Sequence, residues 1–222
     1  MVKRVIVWAV LATAAGIGPA FAQGPKVEVS GSVGWTFSDG VSGQALLAQD
    51  GNIYDRIDPK DSNSYNFTFG ILAEEHYEFG FLYGRQNSTL VAGGTNDREI
   101  GDFAVSNYHG YFAYNFGEPE APIRPFVLIG FGATSSGSVD FSTALRSGTI
   151  EGNTKFSTTW SGGAKFYLSK NFGVRVAARW TPTYVKTDEA GWWCDPFWGC
   201  YVIGDAQYAN QFELSGGVVV RF

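Results

Sequence analysis

The sequence predicts an all-β fold, an eight-stranded antiparallel up-and-down transmembrane β-barrel. The chain has 222 residues, of which 16% are aromatic, and its one Met is the first residue, a composition that favours strands over helices. Eight segments alternate between apolar and polar residues, as strands with one apolar face do. The connections between these segments are alternately short and long, which is typical of outer-membrane barrels.

The N-terminus has the pattern of a secretory signal peptide. The basic pair Lys3-Arg4 precedes an apolar run over residues 5–18, and Ala20-Phe21-Ala22 is a small-x-small pattern after which signal peptidase cleaves. We therefore predict a signal peptide over residues 1–22 and a barrel over residues 23–222. An uncleaved membrane anchor is the alternative interpretation.

Charge and hydropathy narrow the class of protein. Lys3 and Arg4 are the only charged residues of segment 1–22, so its removal lowers the formal net charge from −5 to −7. Such an acidic chain could not neutralise phosphates in bulk, which argues against nucleic acid as a partner. The mature part has no apolar run near the ~20 residues of a transmembrane helix. It can therefore span a bilayer only as a closed barrel, in which every backbone polar group is paired.

The first four predicted strands cover residues 26–38, 61–74, 77–88 and 104–116. Each has one aromatic or β-branched face and one face of small or polar residues. The apolar faces are Val27, Val29, Val33, Trp35 and Phe37; Tyr65, Phe67, Phe69 and Ile71; Tyr77, Phe79, Phe81 and Tyr83; and Tyr108, Phe112, Tyr114 and Phe116.

The last four predicted strands cover residues 124–135, 154–168, 172–185 and 208–222. The first of these is the least regular, because apolar residues stand on both of its faces: Val127, Ile129 and Phe131 opposite Phe126 and Leu128. The apolar faces of the other three are Phe156, Trp160, Phe166 and Leu168; Phe172, Val174, Val176 and Trp180; and Phe212, Leu214, Val218, Val220 and Phe222.

The connections set the orientation of the barrel. Three are short, near Glu75-His76, at residues 117–123 and at 169–171. Four are long, and they cover residues 39–60, 89–103, 136–153 and 186–207. Short turns are periplasmic and long loops external in outer-membrane barrels.

A soluble eight-stranded barrel such as a lipocalin would have the same alternation of residues. Three features favour the membrane. The segments reach the ~9–11 residues that cross a bilayer at a tilt. Aromatic residues stand near segment ends, as in interfacial girdles. The polar face is mainly Gly, Ser, Thr and Asn.

The last two predicted strands carry a family resemblance. The segment 211–222 ends the sequence on an aromatic residue with apolar residues at alternate positions before it, and 173–180 reads Gly-Val-Arg-Val-Ala-Ala-Arg-Trp. These strands resemble those of the OmpA-like or opacity-type outer-membrane β-barrel family. The resemblance implies insertion by the barrel assembly machinery, contact with outer-membrane lipid and a monomeric state. It does not imply one function, since this fold hosts several.

We expect ion pairs inside the barrel. An eight-stranded barrel is narrow enough to be filled by its own side chains, and buried charges need partners. Counting residues from the short turns predicts two pairs, Glu28 with Arg221 and Glu213 with Arg179. A structural role is favoured, with an ion pathway as the alternative. The inward-facing charged residues are Glu28, Glu78, Glu213, Lys165, Arg175, Arg179 and Arg221.

Catalysis is not expected. Some small outer-membrane barrels modify lipid A with a His and a Ser near the lipid interface. Here His76 lies in a predicted turn, and His109 shares the lumen face, where lipid could not reach it. We expect His109 to join the polar packing near Arg179 and Glu213.

The last external loop is the most distinctive. Cys194 and Cys200 are predicted to form a disulfide in an oxidising compartment, with a metal site as the weaker alternative. The aromatic residues around them would suit binding of a partner, a glycan or lipid headgroups, or would cover the barrel mouth. They are Trp192, Trp193, Phe197, Trp198 and Tyr201.

No metal or cofactor is predicted. The first loop is rich in aspartate, but Asp50-Gly-Asn-Ile-Tyr-Asp55 does not have calcium-loop spacing. The leading functional hypothesis is a structural or surface-interaction protein that acts through its external loops on an unidentified surface ligand. A narrow porin-like channel for small solutes is the second hypothesis, and a lipid-modifying enzyme is the third.

Overall fold

The computed structural model describes residues 26–39, 41–47, 53–142, 147–184, 192–195, 199–202 and 208–222. The predicted signal peptide lies outside the described residues. The strands are β1 (Lys26–Ser38), β2 (Val41–Leu47), β3 (Ile53–Pro59), β4 (Ser62–Ala73), β5 (Tyr77–Gly94), β6 (Arg98–Asn115), β7 (Ile123–Ser136), β8 (Val139–Ser142), β9 (Ser147–Ile150), β10 (Thr154–Tyr167), β11 (Phe172–Tyr184), β12 (Trp192–Asp195), β13 (Gly199–Val202) and β14 (Tyr208–Arg221).

Eight of these strands form a closed antiparallel barrel, which confirms the predicted fold. Around the barrel the order is β1-β4-β5-β6-β7-β10-β11-β14, so each strand pairs with the next one along the chain that belongs to the wall. Pairing of β1 with β14, which places Glu28 opposite Arg221, closes the circle. Closure satisfies the backbone polar groups of every wall strand, as a bilayer requires. Among the described residues, no helix is long and apolar enough to cross a membrane.

The distribution of exposed and buried side chains shows which face meets lipid. The outward face is almost entirely apolar, with residues such as Val33 at 64% and Phe79 at 52% exposure. The buried face carries most of the charged and amide side chains of the wall, including Glu28 and Asn115. A water-soluble barrel would bury the apolar face and hydrate the polar one. The arrangement is that of a membrane barrel with a polar interior.

The third and fourth strands of the barrel wall, β5 and β6, are longer than predicted. β5 and β6 continue as a hairpin beyond the barrel rim, and their pairing extends to Ala92 opposite Arg98. The strand β2 pairs with β3, and β3 in turn pairs with the end of β5. Residues 89–103 are therefore mostly strand, and their prediction as a long loop is wrong. Apolar alternation ends where the membrane ends, whereas backbone hydrogen bonding does not depend on an apolar face.

Two further hairpins stand at the long-connection end, formed by β8 with β9 and by β12 with β13. The second places Cys194 directly opposite Cys200 in its register. Cα atoms of directly opposed residues in antiparallel strands are about 4.5–5.5 Å apart, within the range that a disulfide spans. The disulfide itself stays a prediction.

Candidate functional site: the filled lumen

The barrel interior is filled by its own side chains in three levels. We call them the lower network, at the short-turn end, the apolar layer in the middle, and the upper network, toward the long connections. Among the described residues, the buried charged side chains are five cations and three carboxylates: Arg124, Lys165, Arg175, Arg179 and Arg221, with Glu28, Glu78 and Glu213.

Lys165 is the centre of the lower network. It lies on β10, and its ammonium group forms ion pairs with two carboxylates, Glu28 of β1 and Glu78 of β5; the Nζ–Oε2 distance to Glu78 is 2.7 Å. Only 1% of the Lys165 side chain is exposed. A buried ammonium can be retained only where carboxylates compensate its lost hydration. Lys165 therefore ties three widely separated strands together across the lumen.

Both carboxylates accept further hydrogen bonds. Tyr167 donates to Glu28 over 2.6 Å, and Arg221 Nη2 lies 3.3 Å from the same carboxylate. Tyr111 and Asn115 of β6 donate to Glu78 over 2.6 and 3.2 Å. The structure brings Glu28 and Arg221 together, but the closest cation to Glu28 is Lys165. Each carboxylate thus has several donors, which is how a buried anion is stabilised.

Arg175 of β11 contacts no carboxylate of the described residues. Its Nη1 donates to Ser30 and Thr68 over 3.2 and 3.1 Å. Its guanidinium carbon lies 4.4 Å from the centroid of the Phe126 ring, a cation–π contact. Arg175 therefore joins the lower network to the apolar layer above it.

Arg124 was not predicted as a lumen residue. It is 1% exposed, and its Nη2 donates to the backbone carbonyl of Glu75 in the first short turn over 2.6 Å. Arg221 likewise donates from Nη1 to the carbonyl of Pro119 in the second short turn, over 3.0 Å. The two guanidinium groups thus hold short turns over the floor of the barrel. Arg124 lies on the same strand face as Phe126. The alternation of residues did not indicate this, because Arg124 stands at the start of the strand, directly before Pro125.

An apolar layer interrupts the predicted polar lumen. Buried side chains of β5, β6 and β7 pack together there, with Ala177 of β11 against them. They are Leu82, Tyr111, Ala113, Phe126 and Leu128. This explains the irregular fifth predicted strand, because Phe126 and Leu128 face inward while their neighbours face lipid. A hydrophobic constriction excludes water and ions from a pore.

Glu213 of β14 is the centre of the upper network. Its carboxylate lies 2.7 Å from Nη2 of Arg179, its direct cross-strand neighbour on β11. Ser64 and Asn66 of β4 donate to it over 2.7 Å each, and Thr36 of β1 over 3.4 Å. The predicted pairing of Arg179 with Glu213 is therefore present in the structure, with neutral donors from two further strands.

A chain of neutral groups continues around the upper lumen. Gln211 donates to Gln86 over 2.9 Å and accepts from Asn107 over 3.1 Å. Thr134 donates to Asn107 Oδ1 over 2.6 Å, and its hydroxyl oxygen lies 2.9 Å from that of Ser157, from which it can accept. These groups come from β5, β6, β7, β10 and β14, so they link the wall strands around the barrel mouth.

His109 is fully buried beside this series of hydrogen-bonded groups. One of its ring nitrogens, Nε2, lies 2.9 Å from Oγ of Ser157. Its Nδ1 has no hydrogen-bond partner among the described residues. A serine nucleophile needs a base that is itself oriented by a third group, and needs access to substrate. Among the described residues, no third group orients His109, and the buried pair is not accessible to a substrate. His76 lies in the first short turn, where its Nδ1 contacts the carbonyl of Asn115 at 3.1 Å.

Inward-facing glycines make room for the large side chains. A Cβ atom at Gly84 would lie 2.9 Å from Nη2 of Arg179, and one at Gly70 would lie 2.6 Å from the Tyr111 hydroxyl. Both distances are shorter than van der Waals contact. The small residues of the predicted polar face are therefore steric complements to the buried charges and rings.

The predicted loop site is described only in part. Trp192 and Cys194 belong to β12, and Cys200 and Tyr201 to β13, with Trp193 opposite Tyr201 in the register. Phe197 and Trp198 lie outside the described residues. The structure thus places the backbone of most of this loop in one hairpin.

Comparison with known proteins identifies the fold. No protein-family model matches the chain, and no curated protein matches it. Among solved structures, OprG from Pseudomonas aeruginosa is similar with a TM-score of 0.62 and 11% identity, covering 89% of this chain and 96% of that one. Neisserial surface protein A gives 0.53 at 14% identity, covering 90% and 98%. The outer-membrane protein AlkL gives 0.51 at 14% identity, covering 90% of each chain.

These similarities concern proteins of bacterial outer membranes, and at such low identity they establish the fold alone. The predicted resemblance to OmpA-like and opacity-type barrels is confirmed at that level. The chain has the fold of the small eight-stranded outer-membrane β-barrels, with a lumen filled by ion pairs, hydrogen bonds and an apolar layer.

Proposed function

We propose that this protein is an outer-membrane barrel that acts at its external end, in a structural or surface-interaction role, and does not pass solutes through its lumen. The observation that carries the proposal is the filled interior. A solute would have to break the Arg179–Glu213 pair, which has a 2.7 Å contact, and then cross the apolar layer. Removing water from a charge without replacing its partners costs several kcal/mol.

The external end offers surface for an interaction. β5 and β6 continue past the rim, and β2 and β3 add two strands to them. The extension carries ion pairs between Arg56 and Asp58 at 2.8 Å and between Lys60 and Glu99 at 3.0 Å. The proposal includes export directed by the segment 1–22 and insertion by the barrel assembly machinery. It also includes a monomeric state and no enzyme activity.

Conductance of the refolded mature chain in a planar bilayer tests the closed lumen. We expect a barrel that inserts but gives no current above the bare bilayer, because the apolar layer and the upper network both block the path. Steady, discrete channels would overturn this part of the proposal. Insertion is checked separately by the heat-sensitive gel mobility of the folded barrel.

Binding by the last loop is tested on a glycan array. The variant replaces Trp192, Trp193, Phe197 and Trp198 with Ser, and the matched control replaces the lipid-facing Trp35 with Phe. We expect the fourfold variant to lose at least tenfold in binding while the barrel stays folded, because aromatic anchors dominate such contacts. Equal binding by variant and wild type would exclude this loop.

A narrow channel is the second candidate, favoured by a gap in the upper network. A cavity of about 10 Å³ lies beside Arg179 and Glu213, enough for one water molecule. The Nε atom of Arg179 is buried there without a hydrogen-bond partner among the described residues. If the chain conducts, replacing Arg179 with Gln should change its conductance, and an unchanged value would remove this candidate.

A further inference from the structure

Arg85 of β5 lies on the outer face of the barrel, at the long-connection end. It shares its face with Phe79, Phe81 and Tyr83, whose side chains point to lipid, and its own side chain is exposed. Its direct neighbour across β4 is Tyr65, and across β6 it is Ser106. Arg85 therefore marks the level at which the apolar face ends.

Three tyrosines lie at or just below this level on the outer face. Tyr83 and Tyr108 are in contact, with ring centroids 5.3 Å apart, and Tyr65 is 52% exposed. Tyrosines at this position belong to the interfacial girdle of a membrane barrel, where the ring is in the acyl region and the hydroxyl in the headgroup region. The guanidinium of Arg85 is consequently at the height of lipid headgroups.

The guanidinium has no charge partner within the described part of the chain. Its Nε donates to Asn87 over 3.0 Å, which fixes the side chain, and neither terminal nitrogen has an acceptor among the residues that the structure describes. By contrast, Arg56 and Lys60, the nearby cations of the extension, each contact a carboxylate. A free guanidinium fork matches two oxygens of a phosphate group.

The apolar surface below Arg85 is rich in phenylalanine rings. β4, β5 and β6 present Phe rings through the middle of the membrane, whereas the corresponding part of β1 and β14 presents Gly31 and Gly216 between aliphatic side chains. Rigid rings separated by grooves can contact acyl chains at little cost in side-chain entropy. The rings are Phe67, Phe69, Phe79, Phe81 and Phe112, each at least 36% exposed.

We propose that the outer face of β4–β6 is a binding site for a phosphate-bearing lipid of the outer leaflet. Arg85 holds the phosphate, the tyrosines Tyr65, Tyr83 and Tyr108 contact the headgroup region, and the Phe rings below contact the acyl chains. This site uses the outer wall of the barrel, so it does not depend on what the external loops bind.

The test is lipid retention by the refolded mature chain in native mass spectrometry. The probes are lipid A with both phosphates and lipid A from which both have been removed. We expect the wild type to retain the phosphorylated lipid, and Arg85→Ala to retain it roughly tenfold less, because one charge-assisted phosphate contact is lost. Arg85→Lys should be intermediate, since it keeps the charge and loses the fork.

The matched control is Lys26→Ala, which removes an exposed cation at the opposite end of the barrel and should leave retention unchanged. Equal retention by wild type and Arg85→Ala would overturn the proposal, as would equal retention of the two lipids or none of either. If Arg85→Ala instead lost binding of an acidic protein partner and kept the lipid, the surface would be a protein interface. Folding of each variant is checked by its gel mobility before and after heating.

Discussion

The lower and upper networks of the lumen stabilise buried charged side chains in different ways. The lower network contains four cations and two carboxylates, and Lys165 connects Glu28 with Glu78 across the barrel. In the upper network one cross-strand ion pair, Arg179 with Glu213, is surrounded by neutral hydroxyl and amide groups. The ion pairs of the lower network join distant strands, whereas the ion pair of the upper network joins adjacent strands and its links across the lumen are neutral hydrogen bonds. We expect the first to control stability and the second to control access to the mouth.

The largest effect is expected for Lys165→Met. The substitution removes the shared partner of two buried carboxylates, so the free energy of unfolding should fall by about 3–5 kcal/mol. Urea unfolding of the refolded barrel in micelles, followed by tryptophan fluorescence, measures this. Lys170→Met, in an exposed turn, is the matched control and should change little. A Lys165 variant as stable as this control would mean that the lower network does not hold the barrel together.

A smaller effect is expected for Glu213→Gln. The amide keeps part of the hydrogen bonding from Ser64 and Asn66 but leaves Arg179 without its charge partner. We expect a loss of about 1–3 kcal/mol, measured by the same unfolding experiment, with the exposed Glu118→Gln as control.

The double variant Arg179→Met with Glu213→Leu sharpens this result. Because both charges are removed together, it should regain much of the lost stability. If the double variant were less stable than both Arg179→Met and Glu213→Leu alone, the ion pair itself would contribute strongly to stability. The upper network would then stabilise the barrel as the lower one does.

The smallest effect is expected for Gly84→Ala. The new Cβ would lie 2.7 Å from Asn66 Oδ1 and 2.9 Å from Arg179 Nη2, so the guanidinium must move. Since the far end of a flexible side chain can give way, we expect a cost of about 1 kcal/mol. Gly31→Ala is the matched control, because a Cβ there meets no atom within 4 Å. Equal costs at the two positions would show that the upper network is not tightly packed around Arg179.

Much of the wall was predictable because alternate residues of a strand lie on opposite faces of the sheet. The alternation predicted eight strands, and counting from the short turns placed Arg179 opposite Glu213, as the register has it. The extension of β5 and β6 was not predictable in this way. Above the membrane neither face needs to be apolar, so pairing leaves no pattern in the sequence.

The interior was predictable in type but not in contacts. Parity assigns Lys165, Glu28 and Glu78 to the lumen, yet these residues come from β10, β1 and β5, which are not neighbours in the wall. Which side chains meet across a lumen depends on barrel diameter, strand tilt and stagger. Arg124 shows the same limit, since its contact with a turn carbonyl follows from how that turn folds over the barrel end.

The sequence by itself determined the strands, their lipid-facing side and the charged residues that the lumen would contain, because these depend on the local period of two residues. Only the tertiary structure decided that Lys165 joins two carboxylates, that Phe126 and Leu128 form an apolar layer, and that Arg85 has no charge partner among the described residues. Those contacts join residues far apart along the chain, and closure of the barrel alone sets the distances between them.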